Sequence, residues 1–145
     1  MPLPSLTESG DLPVGVHGAT MAEIVERFGS SSDRRKLLVL RLRRVYDVAK
    51  QTGHLVHFVV FGSFVTSKNE PDDVDVFMIM DDAFEYRRLG RSRLLFEHGA
   101  GQGHFGCSVF WVRRMAAIGG EQAAMEDWQI KRDGTERGIV KITGE

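Results

Sequence analysis

The sequence predicts an α+β fold in which a mixed β-sheet is flanked by helices. Three observations carry that expectation. Residues 55–61 and 74–80 are apolar at nearly every position, as strands covered on both faces are. Helical periodicity comes before them over 33–52 and after them over 83–97. A further strand pattern over 105–112 is followed near the end by the turn pair Asp133-Gly134 between apolar residues, the mark of a hairpin. The order is helices, two strands, helix, strand and C-terminal β-hairpin.

Taken in order, residues 1–18 hold prolines and glycines without a sustained period and read as an irregular arm, and 19–145 read as a single domain. Thr20 with Glu23 three residues on forms a capping box, so a short helix through Met21, Ile24, Val25 and Phe28 is expected, stopped by Gly29. Asp33 is the next expected cap. From it Leu38, Leu42, Val45 and Ala49 make one stripe, with Leu37 and Tyr46 beside it, and Gly53 ends the helix. Arg34, Arg35, Lys36, Arg41, Arg43, Arg44 and Lys50 give this helix a basic face, which reads as solvated because the chain as a whole is close to neutral. Asp81 is the expected cap of the 83–97 helix. The glycines Gly99, Gly101 and Gly103 form a loop after it, and 121–126 is expected to be a short helix.

Composition narrows the class. The 145 residues suit one domain, and 42% apolar against 27% charged residues is globular rather than disordered. Nineteen Lys and Arg against twenty Asp and Glu leave a net charge of −1, so no overall field points to nucleic acid or a membrane surface. The single cysteine, Cys107, cannot form an internal disulfide, and no Cys/His zinc spacing occurs. No apolar run approaches the ~20 residues of a membrane span, and the start lacks a charged n-region before an apolar stretch. A soluble, cytoplasmic protein with no membrane partner is expected.

The stretch with chemistry in it is Phe61-Gly62-Ser63-Phe64, a spacer ending at Asp72, then Asp73-Val74-Asp75-Val76. A strand that turns at glycine and starts a short helix at Ser63 offers backbone N–H groups and a hydroxyl to phosphate oxygens. Glycine at the turn lets an anion approach. Asp73 and Asp75, two apart on the next strand, leave the same face. Two carboxylates side by side in an apolar setting are costly unless a cation lies between them, and hard oxygen ligands suit Mg²⁺. A phosphate cradle facing a divalent-cation clamp is the layout of nucleotidyl transfer.

The pattern resembles the polymerase-beta-like nucleotidyltransferase superfamily, whose signature is a strand, Gly-Ser, a spacer and Asp-x-Asp between apolar residues. It looks closest to the small single-domain bacterial members of unassigned function. Those share a proline-rich start, a Gly-Ser-Phe turn, a Pro-Asx-Asp-Val-Asp strand and a C-terminal Gly-Ile-Val. Here these are Leu12-Pro13-Val14-Gly15-Val16-His17, Gly62-Ser63-Phe64, Pro71-Asp72-Asp73-Val74-Asp75 and Gly138-Ile139-Val140. The resemblance implies a nucleotidyltransferase-like sheet. It implies that Gly62 and Ser63 bind the phosphates of an NTP, ATP foremost, and that Asp73 and Asp75 hold Mg²⁺ and act as the catalytic residues. Active members carry a third carboxylate on the next core strand. Here that strand reads Gly106-Cys107-Ser108-Val109-Phe110-Trp111-Val112. Ser108 occupies the third-acid position, or Cys107 if the register slips by one; Glu97, at a helix end, is a distant substitute.

Other candidates carry bland readings beside the functional ones. Lys68 lies between cradle and clamp and is a candidate phosphate contact, although a turn lysine is more often simply solvated. His98 and His104 flank the glycine loop as incidental histidines or metal ligands, and the carboxylate pair favours Mg²⁺ over zinc. Arg87, Arg88, Arg91 and Arg93 form one basic patch and Lys131, Arg132, Arg137 and Lys141 another, each balanced by nearby acids. Met78, Met80, Trp111 and Trp128 read as core. Three functions follow in order: an enzyme moving a nucleoside monophosphate to a protein, RNA or small-molecule hydroxyl, with a toxin–antitoxin or defence pair as its setting; a degenerate nucleotidyltransferase that binds a nucleotide or partner and regulates; and, last, a nucleic-acid module resting on the basic helix. A catalytic palm alone uses most of 145 residues, so a homodimer or partner protein is expected to supply acceptor selection.

Overall fold

The structure is a computed structural model that describes residues 3–97 and 105–144. It is an α+β fold built on one five-stranded mixed sheet. The strands are β1 (Val16–Ala19), β2 (Leu55–Phe61), β3 (Asp75–Met80), β4 (Ser108–Arg113) and β5 (Ile139–Ile142), in the spatial order β1-β5-β2-β3-β4. β2 runs antiparallel to both its neighbours, β5 and β3, while the outer pairs β1–β5 and β3–β4 are parallel.

Helices α1 (Met21–Phe28) and α2 (Asp33–Gln51) cover one face. The Thr20 hydroxyl accepts from the Glu23 N–H while the Glu23 carboxylate accepts from the Thr20 N–H, the capping box the sequence predicts. The cap of α2 is Ser32 rather than Asp33: its hydroxyl accepts from the Arg35 N–H, and Asp33 takes the first helical position, where a carboxylate suits the helix dipole. Leu38, Leu42, Val45 and Ala49 are fully buried as their spacing requires, and burying a side chain the size of Leu or Val contributes about 1.5–3 kcal/mol. Leu37, expected beside the stripe, is exposed, and Val39 is buried in its stead. Gly53, at φ +77, ends the helix in a conformation that costs glycine nothing.

The central strands are buried on both faces. Phe58, Val60, Val76, Met78 and Met80 pack toward the two helices. Val59, Phe77, Ile79 and Ile139 pack on the other side with Met125 of α3 (Glu121–Glu126) and with Trp128.

Three expectations need correction. The arm does not stay irregular to Gly18: Val16–Ala19 pairs with β5, and Leu3 and Leu12 sink into the core, so the arm belongs to the domain. The 83–97 helix is replaced by 3-10 turns at Tyr86–Arg88 and Arg91–Phe96. Phe84 and Tyr86 both pack edge-on against Trp111, at 5.5 and 5.7 Å between centroids, and residues two apart on an α-helix would point away from each other. Asp81, expected as its cap, holds His54 at 2.8 Å besides accepting from the Ala83 N–H. The C-terminal hairpin shrinks to a turn closed by one bridge, Ile130 to Glu136, because β5 enters the sheet and spends both its edges on β1 and β2. The glycine loop, His98 and His104 lie outside the described residues. Among those described, no helix is long and apolar enough to cross a membrane.

Candidate functional site

The site forms where β2 ends and β3 and β4 begin, on the face covered by α3. Antiparallel register sets Phe61 opposite Asp75, and the chain then turns at Gly62 into a single 3-10 turn, Ser63–Val65. Gly62 sits at φ +81, ψ −165, a region open essentially to glycine alone. A Cβ there would run into the Asp75 carboxylate, with its Cγ only 3.0 Å away. The glycine is thus dictated by Asp75, which lies against the turn. The N–H groups of Val65 and Thr66 close the turn on the carbonyls of Gly62 and Ser63, which leaves the cradle to the residues ahead of them.

Asp73 stands just before β3, its Oδ1 accepting from the Val74 N–H at 2.8 Å. Parallel register pairs Asp75 with Ser108, and the Ser108 hydroxyl donates to Asp73 Oδ2 at 2.6 Å. Ser108, not Cys107, therefore faces the two aspartates. Cys107 is fully buried toward the helices, and burial, with Asp73 adding to it, pushes its thiol up to about 12, too high for a thiolate ligand or nucleophile. Asp75 is raised from 3.8 to about 6, by burial first and by the charge of Asp73 second; the Ser108 hydroxyl, Arg137 and Arg132 pull it back. Among the described residues no third acid, histidine or cysteine joins the pair to make a metal-binding group.

A cleft of about 650 Å³ opens over this corner. Gly62, Ser63, Asp75 and Ser108 form its floor, Phe61, Phe110 and Trp128 one wall, and Lys131, Arg132 and Arg137 another. The last three come from the patch that reads as solvated surface in the sequence, and nothing short of the fold brings them to Asp75. Lys131 and Arg137 are both held by Asp11 of the arm, at 3.4 and 3.5 Å. Lys68 is not in the cleft. It is exposed in a different, smaller hollow with Leu6, Arg27 and Arg35.

Arg35 is a residue whose role the sequence hides. Expected on the basic face, it is 3% exposed and donates to the carbonyls of Phe28, Phe64 and Thr66 at 2.9, 2.7 and 2.8 Å, and also to that of Lys68. Three of those carbonyls belong to the segment that follows Ser63, so Arg35 fixes the turn from behind. Burial lowers its pKa, against the pull of Glu70.

The chain belongs to a family of unknown function, DUF6932, whose model matches residues 4–143. No curated protein and no solved structure matches it.

Proposed function

We propose that this chain is a Mg²⁺-dependent protein of nucleotidyltransferase type, transferring a nucleoside monophosphate from an NTP to a hydroxyl of a protein, an RNA or a small molecule. The observation that supports the reading is the Asp75 carboxylate lying against the Gly62 turn with Asp73 beside it. The donor set fits a single hard divalent cation: two carboxylates and a hydroxyl, with Asp75 raised by burial and by the charge of Asp73. Asp73 and Asp75 would hold Mg²⁺, which when bound neutralises charge on the phosphates.

The chain's own residues would do the rest. Ser63 and the backbone of its turn hold the terminal phosphates, and Arg132, Arg137 and Lys131 face them with positive charge. In the transfer the acceptor oxygen bonds to the α-phosphorus as its bond to the bridging oxygen breaks. Pyrophosphate leaves and the hydroxyl proton passes to water. The acceptor is presented by a second copy or a partner chain, as in a toxin–antitoxin or defence pair.

One observation favours a second reading. Ser108, in register with Asp75, stands where active members of the resembled superfamily carry an acid, and a neutral hydroxyl cannot replace a carboxylate on a second cation. On that reading the chain binds the nucleotide and regulates a partner without chemistry. Thermal unfolding with ATP or GTP, with and without Mg²⁺, tests what both share. Nucleotide at 100 times its Kd adds about 2.7 kcal/mol, several degrees for a domain of this size. A shift that requires Mg²⁺ and is lost in Asp75→Asn supports the site; no shift with any nucleotide sinks both readings. Transfer of label from α-³²P-NTP to partner protein or RNA then separates enzyme from regulator.

A further inference from the structure

We infer that the wall of Phe61, Phe110 and Trp128 takes the base of the nucleotide and selects purines over pyrimidines by stacking. The inference rests on the nucleotide reading above and adds a ligand-selecting residue, Trp128. Its ring lies 4.6 Å from Phe61 and 5.0 Å from Phe110 between centroids, at 37° and 35°. These contacts are tilted, Phe77 adds a third at 5.2 Å and 35°, and the group stays partly open: Phe110 is 37% exposed. The contrast is Trp111, which Phe84, Tyr86 and Phe96 meet edge-on at 84°, 72° and 89°, and whose N–H is spent on the Phe96 carbonyl. Trp111 packs against the helix-side core and borders a neighbouring hollow of about 320 Å³, whereas Trp128 borders both that hollow and the cleft over Asp75.

The rest of the cleft says what ring belongs there. Its volume of about 650 Å³ is that of a small-molecule site. The same cavity carries Arg132 and Arg137 facing Asp75, so the ligand that matches it is flat and aromatic at one end and polyanionic at the other. Stacking reads the area of a π-face and not its edge. Asp133 Oδ1, an acceptor on the loop that lines the cleft, is taken by the Thr135 N–H and hydroxyl at 2.9 and 2.6 Å. Adenine and guanine are therefore held alike, and both better than cytosine or uracil.

The test titrates Mg²⁺ complexes of ATP, GTP, CTP, UTP and tripolyphosphate, followed by tryptophan fluorescence and calorimetry. Both purine nucleotides are expected to quench fluorescence and to bind about tenfold more tightly than tripolyphosphate, with the pyrimidines between. Trp128→Ala is expected to bring ATP down to the affinity of tripolyphosphate and leave tripolyphosphate unchanged, while Trp128→Phe keeps ATP within about threefold of wild type. If wild-type protein binds all four nucleotides no better than tripolyphosphate, the base site is refuted and the phosphate and metal site stands. If neither nucleotides nor tripolyphosphate bind, the nucleotide reading falls and the inference with it. The wild-type ranking decides the matter even where Trp128→Ala does not fold.

Discussion

Asp75 sets up a conflict between stability and binding that one substitution can expose. Its carboxyl, raised from 3.8 to about 6, keeps its proton in the folded chain at a pH where the unfolded chain has released it. Between those values the folded state binds more protons, so stability falls as pH rises through the window and stays lowered above it. The difference corresponds to roughly 3 kcal/mol, reduced to about 2 by the part of the side chain that water still reaches. Asp75→Asn removes the ionisation and keeps the shape. Without divalent cation the variant should unfold about 6 °C above wild type near pH 8, at roughly 3 °C per kcal/mol for a chain of this length. The gap should close as pH falls below about 3.8, where both states of wild type come to hold the proton. With Mg²⁺ and nucleotide the order should reverse, because only wild type gains from the ligand. Calorimetric melts of both proteins across that range decide it. A variant that melts at or below wild type at high pH, or a gap indifferent to pH, would refute the electrostatic account of the site.

Gly62→Ala should cost about 2 kcal/mol or more from backbone strain alone, read as a lower denaturant midpoint, and should weaken Mg²⁺-nucleotide binding by pushing the Asp75 carboxylate off the turn. Arg35→Met leaves four carbonyls without their donor and should lower stability by about 3–5 kcal/mol by urea unfolding, and Arg35→Lys, with fewer donors and no planar fork, should recover less than half. Ser108→Asp adds a third carboxylate against Asp73 and Asp75. Metal-free protein should melt several degrees lower, and the rise on adding Mg²⁺ should exceed that of wild type; an unchanged metal-free melt would mean that Ser108 does not share the space of the pair.

The parts of this fold legible in sequence are those that local chemistry decides. The Thr20–Glu23 box and the apolar runs of β2 and β3 need nothing from elsewhere in the chain. The errors fall where distant residues decide. Phe84 and Tyr86 follow Trp111 instead of helical periodicity. β5 abandons its local hairpin because the sheet offers it two partners, β1 and β2, in place of one. Arg35 looks like any other arginine on a basic helix until the carbonyls of the 64–68 segment fold over it. In the candidate site Gly62, Ser63, Asp73, Asp75 and Ser108 were readable because two adjacent strands and a turn bring them together. Lys131, Arg132 and Arg137 were not, since in sequence they are one of several basic clusters and only the return of the chain to β5 aims them at Asp75.

That return also explains why the arm is folded rather than trailing. The carbonyl of Gly10 accepts from the Ser67 N–H, just past the Ser63–Val65 turn, and that of Leu12 accepts from the Gly138 N–H, just past the loop that carries Lys131 and Arg132. Asp11, between them, holds Lys131 and Arg137 together. Three consecutive residues thus tie both flanks of the cleft. Arg137 is shared between Asp11 in the arm and the field at Asp75, so the positive charge available to a ligand depends on the arm being in place. A phosphate chain entering the cleft would compete with Asp11 for the same two cations. The arm is in that sense a wall of the site, and the family match beginning at residue 4 includes it with the sheet it completes.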